Sequence, residues 1–369
     1  MIDTNEFFDY LKENKLDFFA GVPDSLLKNL CACITENCDK KHNIITANEG
    51  NAIGIACGYH LATGKFGVVY MQNSGIGNAV NPLVSLADEE VYRIPLLMIV
   101  GWRGEPDTAD EPQHKKQGRI TLELFKTLGI ETVILDDEFE SKIRYCINYM
   151  KEYNKPVALI VRKNTFSEYK YNFKQSDYVL SRECALEIII DNISRDDIII
   201  STTGKCSREL FELREMRNSG HSNDFLTVGS MGHTSSIALG ISLFSDRQIY
   251  CIDGDGSFIM HMGAAAINAV NCGNNFKYII INNGVHESVG GQPTVAFDID
   301  ILEILLKCGF ANVCTALNEA EIKEGIIFLK NHDKSAMVIY VKQGSRSNLG
   351  RPDLSPIENK KMLMENLKK

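Results

Sequence analysis

Short apolar runs alternate with stretches of helical period along the whole chain. In the first half the runs predict strands over Phe18–Gly21, Ile44–Thr46, Gly67–Met71, Pro95–Val100, Thr132–Leu135 and Val157–Val161. In the second half they predict Ile198–Ser201, Gln248–Ile252, Phe276–Ile281 and Ala336–Val341. Helical spacing falls between them, at Glu49–Ala62 and Gly77–Ala87, then at Thr234–Leu243, Gly263–Cys272 and Ile299–Cys308. This alternation predicts an α/β fold, with mainly parallel sheets flanked by helices on both faces. The stretch Glu168–Asp177 is polar, interrupted by aromatics and without period, so it marks a boundary between two domains, 1–170 and 178–369. The segment Gly344–Lys369 starts as a loop and then turns helical and basic.

A length of 369 residues suits two such domains. Lys and Arg number 39 against 48 Asp and Glu, a net charge of −9. A polyphosphate partner would therefore need a local basic patch, and none is present, so nucleic acid is not an expected partner. The best apolar run, Ile94–Val100, is too short to cross a bilayer, and the acid-bearing N-terminus does not resemble a secretory signal. Eleven scattered cysteines contain no Cys-x-x-Cys, and Cys31, Cys33 and Cys38 match no zinc or iron–sulfur spacing. Free thiols in a reducing cytoplasm are expected.

The sharpest motif follows the strand ending at Asp253: Gly254-Asp255-Gly256-Ser257. The next strand ends at Asn282-Asn283. Open α/β sheets bind ligands at the carboxyl edge of their strands. Asp255 and Asn283 offer a charged and a neutral oxygen there. With a main-chain carbonyl and phosphate oxygens they would complete the octahedral shell of Mg²⁺. The glycines let a phosphate approach the backbone, so the pattern points to a metal-bridged diphosphate. An EF-hand reading fails, because its position 12 would be Ala264 and a strand precedes the loop.

Three segments in order resemble the thiamine diphosphate-dependent 2-oxo acid decarboxylase family. They are the Gly-Asp-Gly to Asn-Asn span, Thr46–Gly64 with Glu49 at the entry of an Ala/Gly-rich helix, and Val228-Gly229-Ser230-Met231-Gly232. The resemblance implies two thiamine diphosphate-binding folds, a pyrimidine-binding domain followed by a diphosphate-binding domain. It implies thiamine diphosphate and Mg²⁺ as cofactors. Glu49 matches the family's activating glutamate, which pairs with the aminopyrimidine, and Met231 takes the place of the residue that bends the cofactor. Ser74, Gly75, Gly229, Gly254, Gly256 and Ser257 are expected around the cofactor. Asp255, Asn283 and the Val285 carbonyl are expected on the metal. The family also implies a homodimer or higher oligomer, with each active site shared between subunits.

The short two-domain length resembles the decarboxylases of phosphonopyruvate and sulfopyruvate. Further segments carry that likeness: Gly21–Leu27, Asn73–Pro82, Gly101–Glu105, Glu111–His114 and Asn283–Gln292. They look closest to the phosphonopyruvate enzymes, which implies non-oxidative decarboxylation to phosphonoacetaldehyde and CO₂ in phosphonate biosynthesis. An anionic substrate needs cations and donors, and the candidates are Ser25, Arg103, His114, Lys115, Gln117, His286, Arg346 and Arg351, with Asp24 beside Ser25 also expected at the substrate. Arg346 and Arg351 sit in a segment that could close over a site. His114, His286 and Glu287 are the candidates for moving the proton that replaces CO₂. Sulfopyruvate decarboxylation is the alternative. A ferredoxin-linked 2-oxo acid oxidoreductase subunit and a non-catalytic cofactor sensor are more distant ones.

Overall fold

In the computed structural model, which describes residues 1–368, six strands build the first sheet. They are β1 (Phe19–Gly21), β2 (Asn43–Ile45), β3 (Gly67–Gln72), β4 (Leu96–Gly101), β5 (Glu131–Ile134) and β6 (Val157–Val161). They pair in the order β2-β1-β3-β4-β6-β5, and every pair is parallel. The second sheet holds β7 (Ile198–Ser201), β8 (Asp224–Leu226), β9 (Ile249–Gly254), β10 (Phe276–Asn282), β11 (Asn312–Ala316) and β12 (Ser335–Tyr340). Its order is β11-β12-β10-β9-β7-β8, again all parallel. Taken from β8, the second sheet repeats the strand order of the first. The chain divides into two units, Met1–Phe173 with Ser288–Pro293, and Lys174–Glu287 with Thr294 onward.

Alternation along each strand builds two cores per sheet. In the first unit Val68, Tyr70, Leu97, Ile99 and Leu159 face one cluster, and Val69, Met71, Met98, Val100 and Ile160 face the other. In the second, Tyr250, Ile252, Ile279 and Ile281 face one way, and Ile249, Cys251, Tyr278 and Ile280 the other. A strand buried on both sides reads as an unbroken apolar run, which is why the hydrophobic pattern finds these strands. It does not find β8 and β11. Both lie at sheet edges, β8 carries Asp224, and β11 is only partly buried, so neither makes such a run.

The helix expected over Gly77–Ala87 is shorter. An α-helix covers Ile76–Pro82, and a wider π-type turn covers Leu83–Ala87. Pro82 has no N–H to donate back into the preceding turn, so regular winding stops there. All eleven cysteines are free. Among the described residues no helix is long and apolar enough to cross a membrane.

The helix Pro356–Asn366 is capped by Ser355 and Glu358 and packs on β8. There Asn359 donates to the Asp224 carbonyl and accepts from the Leu226 N–H, at 2.8 and 2.9 Å. In the first sheet, β1 and β3 approach most closely at Gly21, where an added Cβ would stand 2.1 Å from the Tyr70 carbonyl oxygen. The neighbour is backbone and cannot rotate away. Gly21→Ala is expected to lower the stability of the protein by about 1–3 kcal/mol, as overpacking does, measured by urea unfolding.

Candidate active site

In the first unit the strand order reverses between β1 and β3, since β2 lies on one side of β1 and β3 on the other. Polar side chains converge at the carboxyl ends of these strands, where such a reversal opens a crevice. Asp24, fully buried after β1, accepts from Gln72 Nε2 at 2.7 Å and from the Leu26 N–H at 3.0 Å. Gln72 in turn accepts from Ser74 at 2.8 Å. A Cβ on Gly101 would stand 2.0 Å from Asp24 Oδ2, so only glycine at the end of β4 admits this carboxyl. Burial pushes Asp24 up from its ordinary pKa, against the donors around it.

Glu49 is the first residue of the helix Glu49–Thr63, whose N-cap Asn48 accepts from the Asn51 N–H. The helix buries Glu49, Ala52, Ile53, Ala56 and Cys57, one face at helical spacing. The Glu49 carboxyl is only 5% exposed. Its Oε2 accepts from Asn78 at 2.7 Å. A Cβ on Gly75 would stand 2.3 Å from Oε1, so Gly75 is the floor under this acid. Burial raises the Glu49 pKa, and the Asn78 bond only partly offsets it. The carboxyl thus holds its proton to a higher pH than a solvated glutamate does.

The loop after β4 brings Arg103 to the same edge. Its Nη1 donates to Ser25 Oγ at 2.7 Å. Its Nε and Nη2 grip Asp110 at 2.8 and 2.5 Å. Burial alone would raise Asp110, but Arg103 and the N–H groups of Glu111 and Gly104 hold it well below the usual carboxylate range. Arg103 is therefore a paired cation. His114 and Gln117 lie in the helix Pro112–Thr127, packed so closely on this loop that a Cβ on Gly118 would stand 1.6 Å from the Gly104 carbonyl oxygen. His114 Nδ1 and Gln117 Oε1 are buried without a hydrogen-bond partner. Burial, then the charge of Arg103, pushes the His114 pKa down to about 4, so its ring is neutral near pH 7.

In the second unit Asp255 follows β9 and is 3% exposed. It accepts from Thr294 Oγ1 at 2.5 Å, and burial pushes its pKa up to about 6 against that bond and those of the Asn283 and Gly256 N–H groups. Asn283 Oδ1 accepts the Val285 N–H at 3.2 Å. The Val285 carbonyl accepts from the Glu287 N–H at 3.0 Å and keeps a second lone pair. The segment after β8 runs through Gly229 and then Ser230, whose φ is 55°. Ser257 Oγ accepts from the Gly232 N–H at 3.0 Å. A Cβ on Gly256 would stand 3.1 Å from the His286 ring and 3.3 Å from Met231 Cε, so these three residues pack together. Gly254 adjoins Thr202 at the end of β7. Burial pushes the half-buried His286 down to a pKa of about 4.

Glu287 stands apart from these in its bonding. Burial would raise it, but Arg182 and Lys205, each 3.0 Å away, hold it below its ordinary pKa. Arg346 pairs with Glu183 at 2.7 Å and with Glu212. Arg208 donates to the carbonyls of Leu349 and Gly350. The segment expected to act as a closing arm is strapped to helices of its own unit, with Arg351 exposed beyond it. Sequence reasoning missed Asn78, Gln72, Asp110 and Thr294. Asn78 and Asp110 lie in or beside the quoted segments, whereas Thr294 gives no local signal.

Hard oxygen donors at Asp255, Asn283 and Val285 suit a small divalent cation. Among the described residues no group of three or more His, Cys, Asp or Glu side chains is arranged to hold a metal. A cation here would complete its shell with oxygens from a bound phosphate. Residues 4–124 match the thiamine pyrophosphate enzyme N-terminal TPP binding domain, and 202–340 match the C-terminal TPP binding domain. The chain belongs to the thiamine pyrophosphate enzymes. It is 31% identical over 361 residues to a phosphonopyruvate decarboxylase of Streptomyces viridochromogenes, covering 92% of this chain and 88% of that one. It is 28% identical over 392 residues to a sulfopyruvate decarboxylase of Methanosarcina acetivorans, covering 97% and 96%. The sulfopyruvate decarboxylase subunit alpha of Methanocaldococcus jannaschii is 37% identical over 157 residues, 42% of this chain and 89% of that one.

The depressed His114 has a consequence in acid. The unfolded chain, with an ordinary value of 6.5, binds this proton more readily than the folded chain does. The stabilisation is complete above about pH 6.5 and is lost as pH falls towards 4, by at most about 3 kcal/mol. His114→Gln is expected to lose less stability than wild type between pH 7 and pH 5, measured by urea unfolding at each pH.

Proposed function

We propose that the protein decarboxylates phosphonopyruvate to phosphonoacetaldehyde and CO₂, using thiamine diphosphate and Mg²⁺, in the making of carbon–phosphorus compounds. The observation that carries this reading is the similarity to phosphonopyruvate decarboxylase along 92% of the chain. The buried Glu49 and the oxygen set at Asp255 and Asn283 support it. When bound, thiamine diphosphate supplies the electron sink that lets CO₂ leave a 2-oxo acid.

The residues then divide the work. Glu49, whose carboxyl burial raises above its ordinary pKa, would hold the aminopyrimidine and share a proton with it. Gly75 and Ser74 would flank that ring, and Gly229 and Met231 would pack against the cofactor from the second unit's loop. Gly254, Gly256 and Ser257 would receive the diphosphate, and Asp255, Asn283 and the Val285 carbonyl would hold the cation. Asp24, Ser25, Arg103 and Gln117 form the polar wall for the anionic substrate. Ser25 and the two N–H groups of Arg103 not held by Asp110 or Ser25 are the donors it offers. His114 and His286 are neutral near pH 7, which leaves each a ring nitrogen free to accept a hydrogen bond or a proton. Arg346 could reach the substrate only after release from Glu183 and Glu212, and Arg351 follows it in the same segment. The working assembly is at least a homodimer in which each site draws on two copies, and the compartment is the cytoplasm.

Sulfopyruvate is the second reading. The Methanosarcina relative is a single chain of matching length, so a fused arrangement does not separate the two substrates. Phosphorus NMR of the protein with thiamine diphosphate, Mg²⁺ and phosphonopyruvate is expected to show phosphonoacetaldehyde, lost on adding a chelator. Turnover of sulfopyruvate alone would replace the substrate and keep the chemistry. Glu49→Gln is expected to retain cofactor binding by calorimetry and to lose turnover by roughly 10²–10⁴-fold, the range for removing a positioned proton-transfer group.

A further inference from the structure

A cluster of four charged side chains lies beside Asn283 and has no part in the chemistry above. Arg182, in the first turn of the helix Arg182–Asn192, meets Glu209 fork to fork at 2.6 and 2.7 Å. Glu209 belongs to the helix Lys205–Met216. Arg182 Nη1 also donates to Glu287 Oε2 at 3.0 Å, and Lys205 Nζ donates to Oε1 at 3.0 Å. The Arg182, Glu209 and Glu287 side chains are 9%, 1% and 9% exposed. Two cations and two carboxylates balance, so the cluster is neutral and buried.

Joining the two helices needs only Arg182 and Glu209. The third contact reaches out of them, into the loop that follows β10. There Glu287 Oε2 accepts from Asn283 Nδ2 at 2.8 Å. An ionised carboxylate only accepts, so only the nitrogen end of the amide fits against it. The oxygen end is thereby turned to the Val285 N–H, on the side where the Asn283 main chain meets Asp255. We propose that Arg182, backed by Glu209, is a positioning residue for the metal site: it holds Glu287 so that the Asn283 amide presents its oxygen to the cation. The inference rests on Asp255 and Asn283 being metal ligands. It also assigns Glu287 to orientation and removes it from proton transfer. Lys205, 27% exposed, can swing away, whereas Arg182 cannot.

The test is Mn²⁺ binding to the full-length protein with thiamine diphosphate, followed by the electron paramagnetic resonance of free Mn²⁺. Glu287→Gln keeps the shape of the side chain and removes its obligatory acceptor character. It is expected to weaken Mn²⁺ binding roughly 10–100-fold, the usual cost of losing an outer partner of a metal ligand, in protein that stays folded by circular dichroism. Raising Mg²⁺ should restore its kcat. Arg182→Lys should fall between it and wild type. The double variant Arg182→Met with Glu209→Met removes the buried fork without leaving a stray charge, and should show the same loss. Wild-type Mn²⁺ affinity in the folded double variant or in Glu287→Gln overturns the positioning role. Activity lost in Glu287→Gln at wild-type Mn²⁺ affinity, and not restored by Mg²⁺, places Glu287 in the chemistry and overturns it too. Failure of the wild-type protein to bind Mn²⁺ overturns the metal-ligand assignment itself.

Discussion

Parallel pairing forces every strand of a sheet to deliver its last residue to the same edge. Both sheets here are parallel throughout, so Asp24, Gln72 and Arg103 share one edge and Thr202, Asp255 and Asn283 share another. The covering helices take up the return path and leave that edge to loops. Each loop is then free to vary in sequence without disturbing the apolar strand behind it. The repeated strand order means that this solution is used twice in one chain, with the buried Glu49 carboxyl at one edge and the Asp255 and Asn283 oxygens at the other.

The edges are stocked with acids that burial makes reluctant to ionise. Asp24, Glu49 and Asp255 are all raised by desolvation, each partly offset by one or more donors. The cations nearby are already matched, Arg103 by Asp110 and Arg182 by Glu209. A site built this way does not attract anions by surplus charge. It offers pre-aimed hydrogen-bond donors, whose strength comes from the low polarity around them. An acidic protein can hold an anionic substrate on those terms, and the price is that donor geometry has to be fixed by neighbours rather than by attraction alone.

Most strands were legible as short apolar runs, and β8 and β11 were not, since β8 has three residues with Asp224 among them and β11 breaks its apolar positions with Asn312 and Thr315. No residue repeat marks the shared sheet order, since topology survives sequence divergence that erases any repeat; only the family resemblance implied two copies of one fold. Glu49, Asp255 and Asn283 were legible through their motifs, being chemistry-bearing residues at fixed spacing from glycines. The partners that tune them came from elsewhere in the chain. Asn78 lies one helix away from Glu49, Thr294 lies beyond β10, and Arg182 and Glu209 lie before it. Nor could spacing show that Arg346 spends its charge on Glu183 and Glu212. Pairing of this kind depends on distances across the fold.

Asn359 bridges a donor and an acceptor on β8, the outermost strand of the second sheet. Its side-chain amide stands where the peptide group of another strand would stand. The outer rim of a sheet is a template for adding strands from other molecules, and natural proteins blunt it with covers and charges. The C-terminal helix thus acts as a guard against aggregation as well as a packing element. A chain shortened before residue 356 would retain both halves of the chemistry and lose that protection, so its solubility would fail before its catalytic groups did.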